Sequence, residues 1–270
     1  MQKFSYHTHT NSFGIYDGRN SAEEMISRAE EIGYTELGIS NHLCYHPHMQ
    51  TINPHPMCQH DFKTAVDVYQ RTVDEIRTVS LKSKIPVKVG FEVDFFPSAL
   101  WRNDFEKMLH KLNLDYVIGA THFIRTEDES FICNLYRRDS YSITPEEMRC
   151  FLKTYWENVI ACVNSGYFNF IAHIDVVKIF GFCQEPEWDD YKWRVIEALA
   201  ATHTPTELNT SGWNKSDEQH PHTWMLQELN KRNVPLIISD DAHSVDMLGQ
   251  HFDRAEKLLA DLNYTNRWKL

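Results

Sequence analysis

The chain has 270 residues, of which 42% are hydrophobic, and a formal net charge of -11. That length and apolar fraction allow one sizeable buried core and exclude a disordered chain. The acidic balance excludes nonspecific nucleic-acid binding, which needs a basic surface, but not an anionic substrate, because a bound metal reverses the charge locally.

Short apolar runs alternate with longer amphipathic stretches. Residues 3–9 read as a strand. Ser21-Ala22-Glu23-Glu24 opens a helix with a serine cap and an acidic first turn, ending at Gly33. A strand follows at 36–40. Residues 43–59, rich in His, Pro and Asn, read as a long loop, long enough to serve as a lid. A helix over 61–82 precedes a strand over 87–92, a helix over 99–111 and a strand over 115–120. Thr144-Pro145-Glu146-Glu147 opens another helix, with proline at its favoured first position. The rest reads as a strand at 168–172, a helix at 189–201, a strand at 205–209, a helix at 221–232, a strand at 235–239 and a helix at 252–262. Repeated βα units imply parallel strands with helices packed outside. Seven such units with no Pro- or Gly-rich linker point to an α/β fold, a closed or nearly closed barrel in one domain.

No run of eighteen apolar residues suggests a membrane helix, and the N-terminus lacks an apolar signal core. The expected location is the cytoplasm, with neither membrane nor nucleic acid as partner. Six scattered cysteines without a C-x-x-C pair read as reduced, mostly buried thiols.

The placement of metal-type side chains carries the chemistry. His7 and His9 end the first strand, His42 follows the second, Glu92 ends the third and His122 follows the fourth. His173 ends the fifth, and Asp241 and His243 follow the seventh. Functional groups of a parallel barrel collect at the C-terminal ends of its strands, so residues far apart in sequence can converge. Residues two apart on a strand point the same way, which lets His7 and His9 share one ion. Imidazole and carboxylate without thiolate suit Zn, Fe or Mn. The loop histidines His46, His48, His55 and His60 read as polar and solvated, and His110, His203, His220, His222 and His251 as structural or exposed. Asp94, two after Glu92, is placed to orient a ligand.

The segments Tyr6-His7-Thr8-His9-Thr10, Ser40-Asn41-His42, Gly90-Phe91-Glu92, Thr121-His122-Phe123, Ala172-His173-Ile174-Asp175 and Ser239-Asp240-Asp241-Ala242-His243 resemble, in order, the motifs of the polymerase-and-histidinol-phosphatase (PHP) family. Residues 173–178 and Leu208-Asn209-Thr210-Ser211-Gly212 further resemble its histidinol-phosphate phosphatase branch. The resemblance implies that residues 1–270 form one metallophosphoesterase domain, a distorted (β/α)7 barrel holding three divalent transition metals. It assigns His7, His9, Glu92 and Asp241 to a first ion. Glu92, His122 and His173 go to a second, and Asp17, His42 and His243 to a third. The resemblance alone adds Asp17. Asp240 would support the site from behind.

The implied activity is hydrolysis of a small phosphomonoester, L-histidinol phosphate in histidine biosynthesis, by a metal-bridging hydroxide. Asp241 or His243 would donate the leaving-group proton. Phosphate positioning calls for Arg or Lys; Lys178, Arg19 and Arg125 are the candidates. After Thr-Ser-Gly that branch often shows Leu-Arg, where this chain has Trp213-Asn214. A phosphodiesterase or nucleotide phosphatase of the family therefore stays open as an alternative.

Overall fold

The computed structural model describes residues 1–49, 56–125, 132–140 and 142–270, apart from the side chains at 125, 132, 139 and 140. The strands are β1 (Phe4–Ser5), β2 (Glu36–Ile39), β3 (His42–Tyr45), β4 (Cys58–Gln59), β5 (Val87–Asp94), β6 (Tyr116–Ala120), β7 (Phe123–Arg125), β8 (Ile132–Asn134), β9 (Phe170–Ile171), β10 (Thr206–Asn209) and β11 (Leu236–Ser239). The helices are α1 (Ala22–Glu31), α2 (Phe62–Ser80), α3 (Ala99–Leu112), α4 (Pro145–Asn164), α5 (Asp189–Thr202), α6 (Gly212–Lys215), α7 (Thr223–Lys231) and α8 (Phe252–Asp261).

The main sheet runs β1-β2-β5-β6-β9-β10-β11, every pair parallel. Its two ends meet where Thr8 bridges Ala242 in parallel and the His9 amide donates to the Ala242 carbonyl at 2.8 Å. The result is the nearly closed (β/α)7 barrel expected from the alternation. Along β6, Val117 packs outward against the helices. Tyr116, Ile118 and Ala120 point inward, joining Tyr6, Phe170, Ala172 and Ile237 in a separate inner cluster, as the two-residue period of a strand requires.

Local chemistry sets the helix starts. Ser21 caps α1 and Thr144 caps α4, each through a full capping box with the glutamate three residues on. Asp61 and Ser98 cap α2 and α3 by accepting from Thr64 and Trp101 amides.

Three segments depart from the expectation. The first strand is shorter than 3–9: it pairs in register with β2 at Phe4–Ser5, and beyond that Thr8 bridges Ala242 while its carbonyl accepts from the Ser40 amide at 2.8 Å. The span 43–59 is not all loop. Leu43-Cys44-Tyr45 continue β3, which pairs with β5, and Cys58–Gln59 pair back onto β3; the dense His and Pro around them hid this apolar run. Residues 50–55 of that span, His55 included, lie outside the described residues. β7 and β8 form an antiparallel hairpin that the βα alternation does not announce.

Candidate metal centre

Every side chain expected at the metal centre arrives at one end of the barrel. His7, His9, Asp17, His42, Glu92, His122, His173, Asp241 and His243 fall into four overlapping groups whose donor atoms lie within 4.8 Å of one another. Glu92 is the hub. Its Oε2 is 3.1 Å from His42 Nδ1, 3.4 Å from His7 Nε2 and 3.6 Å from His9 Nε2. Its Oε1 is 2.9 Å from His173 Nε2 and 3.5 Å from His122 Nε2. Asp241 Oδ1 is 3.3 Å from His9 Nε2 and 3.5 Å from His7 Nε2. Asp17 Oδ2 stands 3.4 Å from both His42 Nε2 and His243 Nε2. Asp17, His42 and His243 thus come together as a set, with His9 joining them.

The donors suit cations. Among the described residues, His7 Nε2, both ring nitrogens of His9 and His42 Nδ1 are buried without a hydrogen-bond partner. Buried nitrogens left this way are costly unless something else uses their lone pairs. Burial, reinforced by His243 and His42, pushes His9 down to about 3, which keeps it a neutral ligand. Burial alone would raise Glu92, but His7, His122 and His42 override it and hold the carboxylate ionised.

A supporting layer fixes these groups. Asp94, on the same strand face as Glu92, accepts from His122 Nδ1 at 3.0 Å and from its backbone amide. Glu207, which the sequence reading passed over, places Oε2 2.9 Å from His7 Nδ1 and Oε1 2.9 Å from the His173 amide. A carboxylate on one ring nitrogen leaves the other to face an ion. The available signal was a glutamate inside the buried run 206–208. Ser211 and Asn209 donate to Asp241 Oδ2 at 3.0 and 3.3 Å. Asp241 itself takes a left-handed φ of 49°, a conformation that persists where the surroundings impose it. Asp240 touches none of the cluster. It accepts from Ser5, Tyr34 and the Gly249 amide behind the barrel wall, and burial pushes it up to about 6.

The cluster floors a cavity of about 230 Å³ whose walls include Met57, Phe123, Asn134, Tyr136, Arg137 and Lys215. The three cations expected at the phosphate stand elsewhere or out of view. Lys178 is buried in an ion pair with Asp175 at 2.9 Å and also donates to the Gln219 carbonyl; it lines a separate cavity with Glu218 and His222. The Arg19 side chain is exposed and off the cavity wall, although its amide donates to the His243 carbonyl at 2.7 Å. The Arg125 side chain lies outside the described residues. Lys215 and Arg137 were not anticipated; both sit in short segments beyond the strand ends, where spacing gives no signal. One loop histidine expected to be solvated is not, while His220 takes a structural place as expected. His46 is fully buried against Phe96. His220 is buried with Nδ1 2.7 Å from Asp175 Oδ1.

Residues 5–211 match the PHP domain family. The chain belongs to the PHP domain family. A "Probable histidinol-phosphatase" of Deinococcus radiodurans is 26% identical over 234 residues, covering 84% of each chain. The histidinol-phosphatase of Bacillus subtilis is 22% identical over 272 residues, covering 94% of this chain and 98% of its own. The fold of histidinol phosphate phosphatase from Lactococcus lactis, solved with zinc, L-histidinol and phosphate, superposes with a TM-score of 0.70 at 16% identity over 98% of this chain and 95% of that one.

Proposed function

We propose that this PHP chain is a metal-dependent phosphomonoester hydrolase acting on L-histidinol phosphate. The carrying observation is the set of nine converging donors with orphaned, buried ring nitrogens. It stands in a fold whose full-length relatives bear histidinol-phosphatase names. His7, His9, Glu92 and Asp241 would hold one ion, Glu92, His122 and His173 a second, and Asp17, His42 and His243 a third, as zinc, iron or manganese. Bound there, the ions supply Lewis acidity toward the phosphoryl oxygens and activate water for attack.

The chain's own residues do the rest. Glu207 and Asp94 hold His7 and His122 so that Nε2 of each faces the cluster. Asp241 stays ionised because His7, Lys215 and His9 outweigh its burial. Together with Glu92 and Asp17 it offsets part of the ions' charge, and the remaining positive charge suits a phosphate dianion. His243 Nδ1 donates to the Asp241 carbonyl at 3.0 Å, which turns Nε2 towards Asp17 Oδ2, 3.4 Å away. The buried cysteines Cys44, Cys133, Cys162 and Cys183, outside any disulfide among the described residues, go with a reducing cytoplasmic setting.

The test is steady-state kinetics on histidinol phosphate beside a panel of sugar, nucleotide and aryl monoesters and bis(p-nitrophenyl) phosphate, with metal content measured on the same preparation. Histidinol phosphate should give the highest kcat/KM. Preferential cleavage of the diester or of a nucleotide would overturn the substrate assignment, and protein without bound transition metal would overturn the reaction class.

A further inference from the structure

We infer that Lys215 and Arg137 form a cationic rim that grips the terminal phosphate and makes the site selective for dianionic monoesters over monoanionic diesters. The inference rests on the phosphomonoesterase reading above. Among the described residues that line the cavity, these two are the only lysine or arginine. They reach it from different strands. Lys215 ends α6, which follows β10, and Arg137 lies in the 3-10 segment Leu135–Ser140 after the β7–β8 hairpin, on the β6 side.

Both are held at the cavity by neighbours that point elsewhere. In α6, Asn214 is turned away, donating to Gln250 Oε1 at 2.6 Å and lying 2.9 Å from His251 Nε2. Trp213 packs under the Arg254 guanidinium at 4.3 Å. One short turn therefore leaves Lys215 facing the site, its Nζ 3.9 Å from Asp241 Oδ2. In the other segment, Arg138 stacks on Phe180 at 4.5 Å, and Tyr136 packs edge-on against Phe180 and against His122. That anchors the segment, and Arg137 lines the cavity without an ion pair to any described residue.

The pairing of types matters chemically. A guanidinium offers a planar fork to two phosphate oxygens, whereas an ammonium is a compact point charge. A terminal phosphate presents three free oxygens and two negative charges, enough for the ions and both cations. A diester presents two free oxygens and one charge, so it gains less from the rim.

The experiment compares K215M and R137M with the wild type, using inorganic phosphate as the binding probe and matched aryl monoester and diester substrates. Each substitution should weaken phosphate binding, measured by titration calorimetry on metal-loaded protein, by about 10- to 100-fold. It should lower monoester kcat/KM by a similar factor, while diester kcat/KM falls by less than about threefold. Metal content should match the wild type, and K215R should recover most of the phosphate affinity. Unchanged phosphate affinity, equal losses on both substrate classes, or loss of metal along with phosphate would each overturn the rim. If the wild type cleaves no monoester at all, the functional reading fails on its own, and the phosphate titration still decides the rim.

Discussion

Glu92 shows how much one side chain decides. Both of its oxygens are shared among five histidines, and it is 1% exposed. Glu92→Gln keeps the shape and removes the charge, so bound metal should fall and turnover should drop by more than about 100-fold; elemental analysis beside kcat checks both. The groups behind the ligands act more gently. Asp94→Asn and Glu207→Gln should each weaken metal affinity about 10- to 100-fold, read by competition with a chelator of known affinity, with the fold intact by circular dichroism. Asp94 was legible because it shares a strand face with Glu92. Glu207 was not singled out, although a glutamate within a buried strand is expensive without a partner. Lys215 and Arg137 lay beyond reach of strand-end spacing, since loop geometry alone aims them.

Among the elements, the inner barrel depends on close approaches. A Cβ at Gly38 would stand 2.5 Å from Tyr116 Oη and 2.8 Å from Tyr6 Cα. Gly38→Ala should cost about 1–3 kcal/mol, measured by urea unfolding, because backbone cannot give way cheaply. Asp175 ties the end of β9 to the stretch before α7. It pairs with Lys178, meets His220 Nδ1 and accepts from the His222 amide at 2.9 Å. Burial alone would raise its carboxyl, but Lys178 and His220 hold it well below the ordinary range. Burial lowers His220 to about 4, against 6.5 for a free histidine. The unfolded chain therefore binds more protons than the folded one between those values, and Asp175 adds the same sign further down. Stability should decline as pH falls from about 6.5 towards 4. His220→Gln should flatten that decline in thermal melts across the range; an unchanged slope would refute the assignment.

Across the whole molecule, the cluster of candidate metal ligands straddles the seam of the barrel. Thr8 and Ala242, whose bridge joins the sheet's ends, sit directly beside His7, His9 and Asp241. Ions at those donors would staple the closure. Stripping them with a chelator should lower Tm and speed amide exchange at His9, which donates across the seam, more than at β5–β6. At free metal about 100-fold above Kd, the linked stabilisation is about 2.7 kcal/mol per site. Equal Tm with and without metal would separate the seam from the site.

The alternation of the barrel's main strands and helices, the capping boxes at Ser21 and Thr144, and the candidate ligand residues at strand ends were readable from the chain, because each is a local rule of period, cap or spacing. Asp17 became readable only through family resemblance, since a turn aspartate carries no periodic mark. The tertiary structure alone decided the rest. It buried Lys178 in an ion pair, because Asp175 lies one helical turn away. It set Asp240 behind the wall and Asp241 in front, because Asp241 takes a left-handed backbone turn between them. And it brought the two unforeseen cations to the cavity through side-chain anchors, from Gln250 to Phe180, that no spacing in the sequence announces.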